Sequence, residues 1–253
     1  MPRLLVRRPS PLLADGELTH LDRVPVDPAL ALSQWEAYVG QFRSRGWDVI
    51  EVEPADEQPD GVFVEDAVVV FGDLAVLCRS GAESRRGEAP SVKAAAAASD
   101  LPVIAIDEPG TLDGGDVLKV GRTVYVGRSS RTNTAGIAQL RAAIEPHGWS
   151  VVDVPVTRVL HLKSGVTALP DGTVIGYPPL VDDPGSFDRF LGVPEAHGTA
   201  VVVLDDSTVL MSADAPETAE LFRARGLRVV TTPVTEFEKL EGCVTCLSVR
   251  IRD

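Results

Sequence analysis

Val117-Leu-Lys-Val-Gly-Arg-Thr-Val-Tyr-Val126, an amphipathic stretch over roughly 133–147, and Gly148-Trp-Ser-Val-Val-Asp-Val-Pro155 together spell one structural unit. The first run alternates around Gly121-Arg122 and reads as a hairpin. The second carries apolar residues at helical spacing. The third is a short β-branched strand, opened by the kind of glycine that ends helices.

The same pattern recurs along the chain. Further hairpins are expected at Ala67-Val-Val-Val-Phe-Gly-Asp-Leu-Ala-Val-Leu-Cys78 and at Gly165–Gly176, where Asp171-Gly172 is a strong hairpin turn. Helices are expected over roughly 28–45, 90–99, 184–192 and 215–225. Strands following a helix are expected at Gly46–Glu53, Leu101–Asp107, Gly198–Leu204 and Gly226–Pro233. Hairpin, helix, strand thus repeats about five times, and such repeats close into solenoids or propellers. The first strand, Leu4–Arg8, and the last, Cys246–Arg252, lack hairpin partners. Pairing them would complete the fifth unit and close a ring. No linker or low-complexity stretch interrupts residues 1–253, so one α/β domain is expected.

The net charge of −13 and the absence of any Lys/Arg cluster beyond Arg7-Arg8 and Arg85-Arg86 argue against nucleic acid or an anionic membrane as a partner. No apolar run has the length of a membrane span, and Met-Pro-Arg-Leu-Leu-Val-Arg-Arg has no secretory pattern. Three cysteines, an odd number, point to free thiols in a reducing cytoplasm. Cys243 and Cys246 read C-x-x-C, but in a strand rather than at a helix start, which disfavours a thioredoxin-like role. Neither metal-ligand spacing nor a cofactor motif is present, so no metal and no cofactor are expected.

Three segments carry chemistry. Cys246 follows the Glu241-Gly242 turn at the mouth of an apolar strand, where a nucleophile is held rigidly and still meets substrate. A cysteine in such a strand is otherwise an ordinary core residue. His161, in Leu160-His-Leu-Lys-Ser-Gly165, is a candidate general acid and base. Asp113 and Asp116 flank two glycines in Leu112-Asp-Gly-Gly-Asp116, a turn that lets backbone come close to another group. Asp66 ends Phe63-Val-Glu-Asp66 at a strand entrance. His20, His147 and His197 fall in loops or at a helix end and read as surface residues.

In this chain order the three segments resemble the dimethylarginine dimethylaminohydrolases, within the superfamily of guanidine-modifying enzymes. Pro59-Asp-Gly-Val-Phe-Val-Glu-Asp-Ala67, Ser84-Arg-Arg-Gly-Glu88 and Val126-Gly-Arg-Ser-Ser-Arg-Thr-Asn133 extend the resemblance over essentially the whole chain. It implies a five-bladed α/β propeller (a pentein) with pseudo-five-fold symmetry and a central active site. It implies Cys246 as nucleophile, His161 as acid and base, and Asp113 as the carboxylate orienting His161. Asp66 would grip the guanidinium, Glu65 would serve backbone or substrate, and Asp60 the substrate amine side. Arg85 and Arg131 would bind the substrate carboxylate, with Arg86 an alternative to Arg85. Leu18, Phe63 and Glu241 complete the expected substrate contacts, and His20 would belong to a flap within 9–25. The partner is a small molecule, with a possible homodimer through sheet edges.

Two departures point to a methylated substrate. Arginine deiminases carry F-T-R-D-P where this chain has Phe63-Val-Glu-Asp-Ala67, and H-L-D where it has His161-Leu-Lys163. The second carboxylate of H-L-D grips an unsubstituted guanidinium, whereas a methylated nitrogen offers fewer N–H donors to it. Lys163 therefore favours Nω-methylated arginine. A guanidine deiminase on the same fold is the alternative, and a non-catalytic propeller is the remaining one, disfavoured by the acidic charge.

Overall fold

The β-branched runs pair into five separate three-stranded sheets, with helices in the connections. The computed structural model describes residues 1–252. In chain order the elements are β1 (Arg3–Val6), α1 (Pro28–Arg43), β2 (Asp48–Glu51), β3 (Val68–Phe71), β4 (Leu74–Leu77), α2 (Ala89–Ala98) and β5 (Val103–Ala105). There follow β6 (Val117–Val120), β7 (Thr123–Arg128), α3 (Thr134–Ile144), β8 (Ser150–Pro155), α4 (Leu162–Gly165), β9 (Val166–Ala168), β10 (Val174–Gly176) and β11 (Phe190–Gly192). The chain ends with β12 (Val201–Asp205), β13 (Thr208–Ser212), α5 (Pro216–Ala224), β14 (Arg228–Thr232), α6 (Thr235–Glu238) and β15 (Val249–Ile251).

One topology serves all five sheets. A central strand pairs antiparallel with one neighbour and parallel with the other, as β7 does with β6 (Leu118↔Tyr125) and β8 (Tyr125↔Val152). The parallel step needs a crossover, supplied by α1, α2, α3 and α5 in four sheets. In the first sheet, β1 pairs antiparallel with β15 (Leu4↔Arg250), so the two chain ends meet as the unpaired terminal strands required.

Two expectations fail in the fourth unit. The helix over 184–192 is absent: Asp183 accepts a hydrogen bond from the Gly185 N–H, Pro184–Ser186 forms a 3₁₀ turn, and Phe190–Gly192 is a strand. Asp-Pro-Gly is turn chemistry and overrides the weak helical spacing. Consequently the run at 198–204 is the first arm of a hairpin, β12–β13, and does not close the unit before it. The last strand is also shorter than 246–252, because Cys243 to Cys246 forms a turn closed by the Cys246 N–H on the Cys243 carbonyl (3.1 Å).

Local signals explain the helix ends. Asp27 caps α1, accepting from the Ala29 and Leu30 N–H groups, ahead of Pro28, a cap worth about 1 kcal/mol. Beyond α3, Gly148 takes φ +80°, a left-handed turn that suits glycine. Among the described residues, no helix is long and apolar enough to cross a membrane.

The core is divided into five clusters, each lying between two sheets. One joins β1 (Leu4, Val6) and α1 (Trp35, Phe42) to β12 and β13 (Val202, Leu210). Others join Leu5 and Val249 to Val68 and Val70, and Val69 and Val76 to Val117 and Val126. The last two join Tyr125 and Val154 to Val166 and Val174, and Ile175 to Val209 and Met211. Burying one such side chain contributes about 1.5–3 kcal/mol, so these clusters, more than three-residue ladders, hold the sheets. A cavity of about 280 Å³ is lined by residues from β3, β6, β9, β12 and β15, one strand of every sheet.

Candidate active site

The turns that lead into four of these cavity-lining strands carry the titratable groups. Asp66 precedes β3, Asp113 and Asp116 precede β6, His161 precedes α4 and β9, and Cys246 precedes β15. A small pocket of about 20 Å³ is lined by Asp60, Phe63, Asp66, Arg85, Arg131, His161, Glu241 and Cys246. Leu160, Leu240 and Gly242, neighbours of the motif residues, and Glu17, which lies outside every motif, complete its wall. Phe63 packs edge-on against Phe237 and is almost fully buried.

His161 stands between two carboxylates. Its Nε2 is 3.1 Å from Asp113 Oδ2, and its Nδ1 is 3.8 Å from Asp66 Oδ1. Asp113 is fully buried and does not line the pocket, so it acts on the ring from behind. Burial alone would lower the His161 pKa. The carboxylate of Asp66, the Asp113 hydrogen bond and the charge of Asp116 outweigh it and hold the pKa up to about 9. Asp66 shows the complement. Burial opposes its ionisation, but His161, Arg85 and the Gly115 N–H hold it at about 2. At neutral pH the pair is an imidazolium and a carboxylate.

The two glycines of Asp113-Gly-Gly-Asp116 serve protein contacts. A Cβ on Gly115 would lie 2.6 Å from His161 Nδ1 and 2.7 Å from Asp66 Oδ1. Asp116 is structural: it accepts from the Leu162 N–H (2.8 Å) and the Ser129 hydroxyl (2.6 Å), and burial pushes its pKa up to about 6.

Cys246 is 7 % exposed, and its Sγ lies 3.3 Å from Cys243 Sγ. The thiol–thiol hydrogen bond, followed by burial and the charges of Cys243, Glu65 and Asp66, pushes the Cys246 thiol well up. The same bond draws Cys243 down, aided by the Thr245 hydroxyl at 3.2 Å. Cys246 is therefore held as a neutral thiol.

The two expected carboxylate-binding arginines differ sharply. Arg85 is saturated: Nε and Nη2 bind Glu88 (2.8 and 2.9 Å) and Nη1 binds Asp66 (2.7 Å). Its charge is already offset by two buried carboxylates, so it orients Asp66. Arg86 pairs with exposed Glu83 and lies outside the pocket. Arg131 gives Nη2 to Glu17 (2.9 Å), while its buried Nη1 has no hydrogen-bond partner. Asp60 accepts from the Glu17 N–H (3.0 Å), which fixes Glu17 at the pocket.

Glu65, Lys163, Leu18 and Glu241 lie differently from expectation. The Glu65 carboxylate is turned away from the pocket to Lys163 (2.7 Å) and Arg250 (2.9 Å), and all three line the 280 Å³ cavity. Val64–Asp66 is a 3₁₀ turn, which rotates successive side chains by about 120° and so points adjacent Glu65 and Asp66 in different directions. Lys163 thus withholds a carboxylate from the pocket without reaching it. Leu18 packs against the α1 cluster and is not part of the lining. Glu241, at φ +59°, directs its carboxylate to the N–H groups of Thr19, His20 and Leu21 (2.9, 2.5 and 3.1 Å). It fastens the 19–21 segment, within the expected flap, in addition to lining the site. His20 lines a neighbouring cavity of about 310 Å³.

Among the described residues, one trio offers metal-ligand atoms within 4.8 Å of one another: His197, Asp214 and Glu238. His197 and Asp214 are exposed, and none of the three lines the Cys246 pocket.

A thiol and an imidazolium on one carboxylate-lined pocket, at the strand mouths of this repeated α/β fold, define a thiol-based covalent enzyme. The family model for N,N dimethylarginine dimethylhydrolase, eukaryotic, matches residues 24–164. An N(G),N(G)-dimethylarginine dimethylaminohydrolase of Streptomyces coelicolor is 60 % identical over 251 residues, covering 99 % of this chain and 97 % of that protein. The solved structure of a Pseudomonas aeruginosa dimethylarginine dimethylaminohydrolase, a cysteine-to-serine mutant complexed with citrulline, is 34 % identical and superimposes with a TM-score of 0.91 over 98 % of both chains. A histidine-to-glycine variant of a dimethylarginine dimethylaminohydrolase, in adduct with S-methyl-L-thiocitrulline, superimposes at 0.90 with 33 % identity over 99 % of this chain and 100 % of that one. The chain belongs to the dimethylarginine dimethylaminohydrolase family.

Proposed function

We propose that the chain hydrolyses Nω-methylated arginine, both asymmetric dimethylarginine and monomethylarginine, to citrulline and the corresponding methylamine. The observation that carries the chemistry is the placing of Cys246, His161 and Asp66 on one pocket with Asp113 behind the imidazole.

The substrate guanidinium is a planar cation, and Asp66, ionised well below neutrality, is the group to grip its unmodified nitrogens. Arrival of that cation beside Cys246 opposes the Cys243 hydrogen bond, the burial and the nearby negative charges that keep the thiol protonated, and so favours the thiolate, its proton passing to solvent. The thiolate attacks the central guanidinium carbon, forming a C–S bond. His161, an imidazolium at rest, donates its proton to the methylated nitrogen, and the C–N bond breaks with release of dimethylamine or methylamine. The S-alkylthiouronium intermediate then meets water. Neutral His161 takes the water proton, hydroxide adds to the same carbon, and the C–S bond breaks to give citrulline and the thiol. The adduct of a histidine-to-glycine relative with S-methyl-L-thiocitrulline supports a covalent route. Arg131, with its unused Nη1, binds the substrate carboxylate, and Asp60 receives the amine side.

The five sheets are read as blades of a single-domain, closed five-bladed propeller with pseudo-five-fold symmetry. The five clusters bridging successive sheets, the β1–β15 pairing and the cavity lined by one strand per sheet support that reading. Three free thiols suit a cytoplasmic setting.

The test is an assay with asymmetric dimethylarginine and, separately, arginine, quantifying citrulline, dimethylamine and ammonia. Citrulline with equimolar dimethylamine, and little product from arginine, is expected. Ammonia from arginine at comparable kcat/KM would move the chain to the deiminases.

A further inference from the structure

Cys243 has no part in the hydrolysis, yet it is the thiol nearest to Cys246. The two occupy the first and last positions of a four-residue turn, closed by the Cys246 N–H on the Cys243 carbonyl at 3.1 Å. Such a turn holds its end Cα atoms within about 7 Å, which overlaps the span a disulfide bridges. The sulfurs already face each other at 3.3 Å, so a bond between them needs a contraction of the turn and no rearrangement of the sheets. The turn also departs from the sequence reading, which placed both cysteines in a strand, where alternation would have set residues three apart on opposite faces.

The thiols differ in access. Cys246 is buried at the 20 Å³ pocket, whereas Cys243 is half-buried and lines the 310 Å³ cavity on the other side of the Glu241-Gly242 wall. Thr245 Oγ1, 3.2 Å away, is placed to donate to a Cys243 thiolate. Exposure and thiolate character decide which cysteine a small oxidant meets first. Both favour Cys243.

We infer that Cys243–Cys246 is a reversible oxidation site for hydroperoxides, in which Cys243 is oxidised first and Cys246 then closes an intramolecular disulfide. In the first step the Cys243 thiolate attacks a peroxide oxygen. The S–O bond forms, the O–O bond breaks, and hydroxide leaves to be protonated to water. In the second, the Cys246 sulfur, giving up its proton, attacks the sulfenic sulfur. The S–S bond forms, the S–O bond breaks, and a second water departs. Two thiols and one hydrogen peroxide thus become one disulfide and two waters, with two electrons passing from sulfur to peroxide. The loss of activity that follows rests on the reading of Cys246 as nucleophile. The disulfide itself does not.

The experiment exposes the full-length protein to hydrogen peroxide, then to dithiothreitol. Residual activity is read against each variant's own untreated sample, and peptide mass spectrometry reads the sulfur chemistry directly. Expected are a Cys243–Cys246 linked peptide, loss of activity and its return on reduction. The C243S variant should be inactivated roughly tenfold more slowly. The C246S variant should accumulate a dimedone-trappable sulfenic acid on Cys243, and C78S should behave as the unaltered chain. A wild type that gains oxygen on Cys246 without the linked peptide would overturn the proposal, as would C243S lost at the wild-type rate. A linked peptide with activity intact would leave the oxidation site standing and overturn Cys246 as the nucleophile.

Discussion

Asp113 Oδ2 lies 3.1 Å from His161 Nε2, and the carboxylate is wholly buried behind the ring. The contact leaves Nδ1 as the nitrogen on the Asp66 side. It also helps hold the imidazolium to about pH 9, against the burial that would otherwise discharge it. Asp113→Asn keeps the shape and removes the charge. Its kcat should fall by roughly 100-fold, and the alkaline limb of the pH–rate profile should move down from about 9. A profile whose limb stays in place would assign the limb to another group.

The same shifts make stability depend on pH. The folded His161 pKa, about 9, lies above its ordinary 6.5. Its contribution is therefore complete below the ordinary value and lost as pH rises through about 9. Asp66 is depressed from 3.8 to about 2. Its contribution is present above 3.8 and lost as pH falls through about 2. Urea unfolding across pH should show His161→Gly with a flatter decline between neutrality and pH 10 than the unaltered chain.

Glu17 occupies the arginine that the substrate carboxylate needs, with Oε2 2.9 Å from Arg131 Nη2. Glu17→Gln should lower KM by weakening that competition. Arg131→Ala should lower kcat/KM by about 10- to 100-fold, the worth of a hydrogen bond to a charged group. Substrates lacking the α-carboxylate provide the check, because neither change should affect their turnover.

Glu241 ties three consecutive flap N–H groups through one carboxylate. Glu241→Gln keeps an acceptor and loses the charge. Amide exchange at Thr19, His20 and Leu21 should quicken, and KM should rise more than kcat falls. Unchanged exchange at those amides would show that the flap is held by its apolar contacts alone.

The sequence by itself determined the repeating unit and most of its parts. Period-2 runs around Gly-Asp, Gly-Arg and Asp-Gly turns are short-range signals, and the hairpins and the helices α1, α2, α3 and α5 fall where those signals lie. The need of two lone terminal strands for partners even foretold the β1–β15 pairing. The fourth unit misled because its helical spacing was weak and Asp-Asp-Pro-Gly-Ser turn chemistry won locally. At the site, residue types at strand mouths marked Cys246, His161, Asp113, Asp66 and Arg131. Which way each side chain turns was decided by contacts between segments far apart in the chain. Glu65 faces the central cavity because Lys163 and Arg250 are there to neutralise it. Arg85 is committed to Glu88, and Glu17 enters the pocket because Asp60 anchors its backbone. The closeness of Cys243 and Cys246 depends on whether that stretch extends or turns, a choice between nearly equal local preferences that only packing of the assembled sheets resolves.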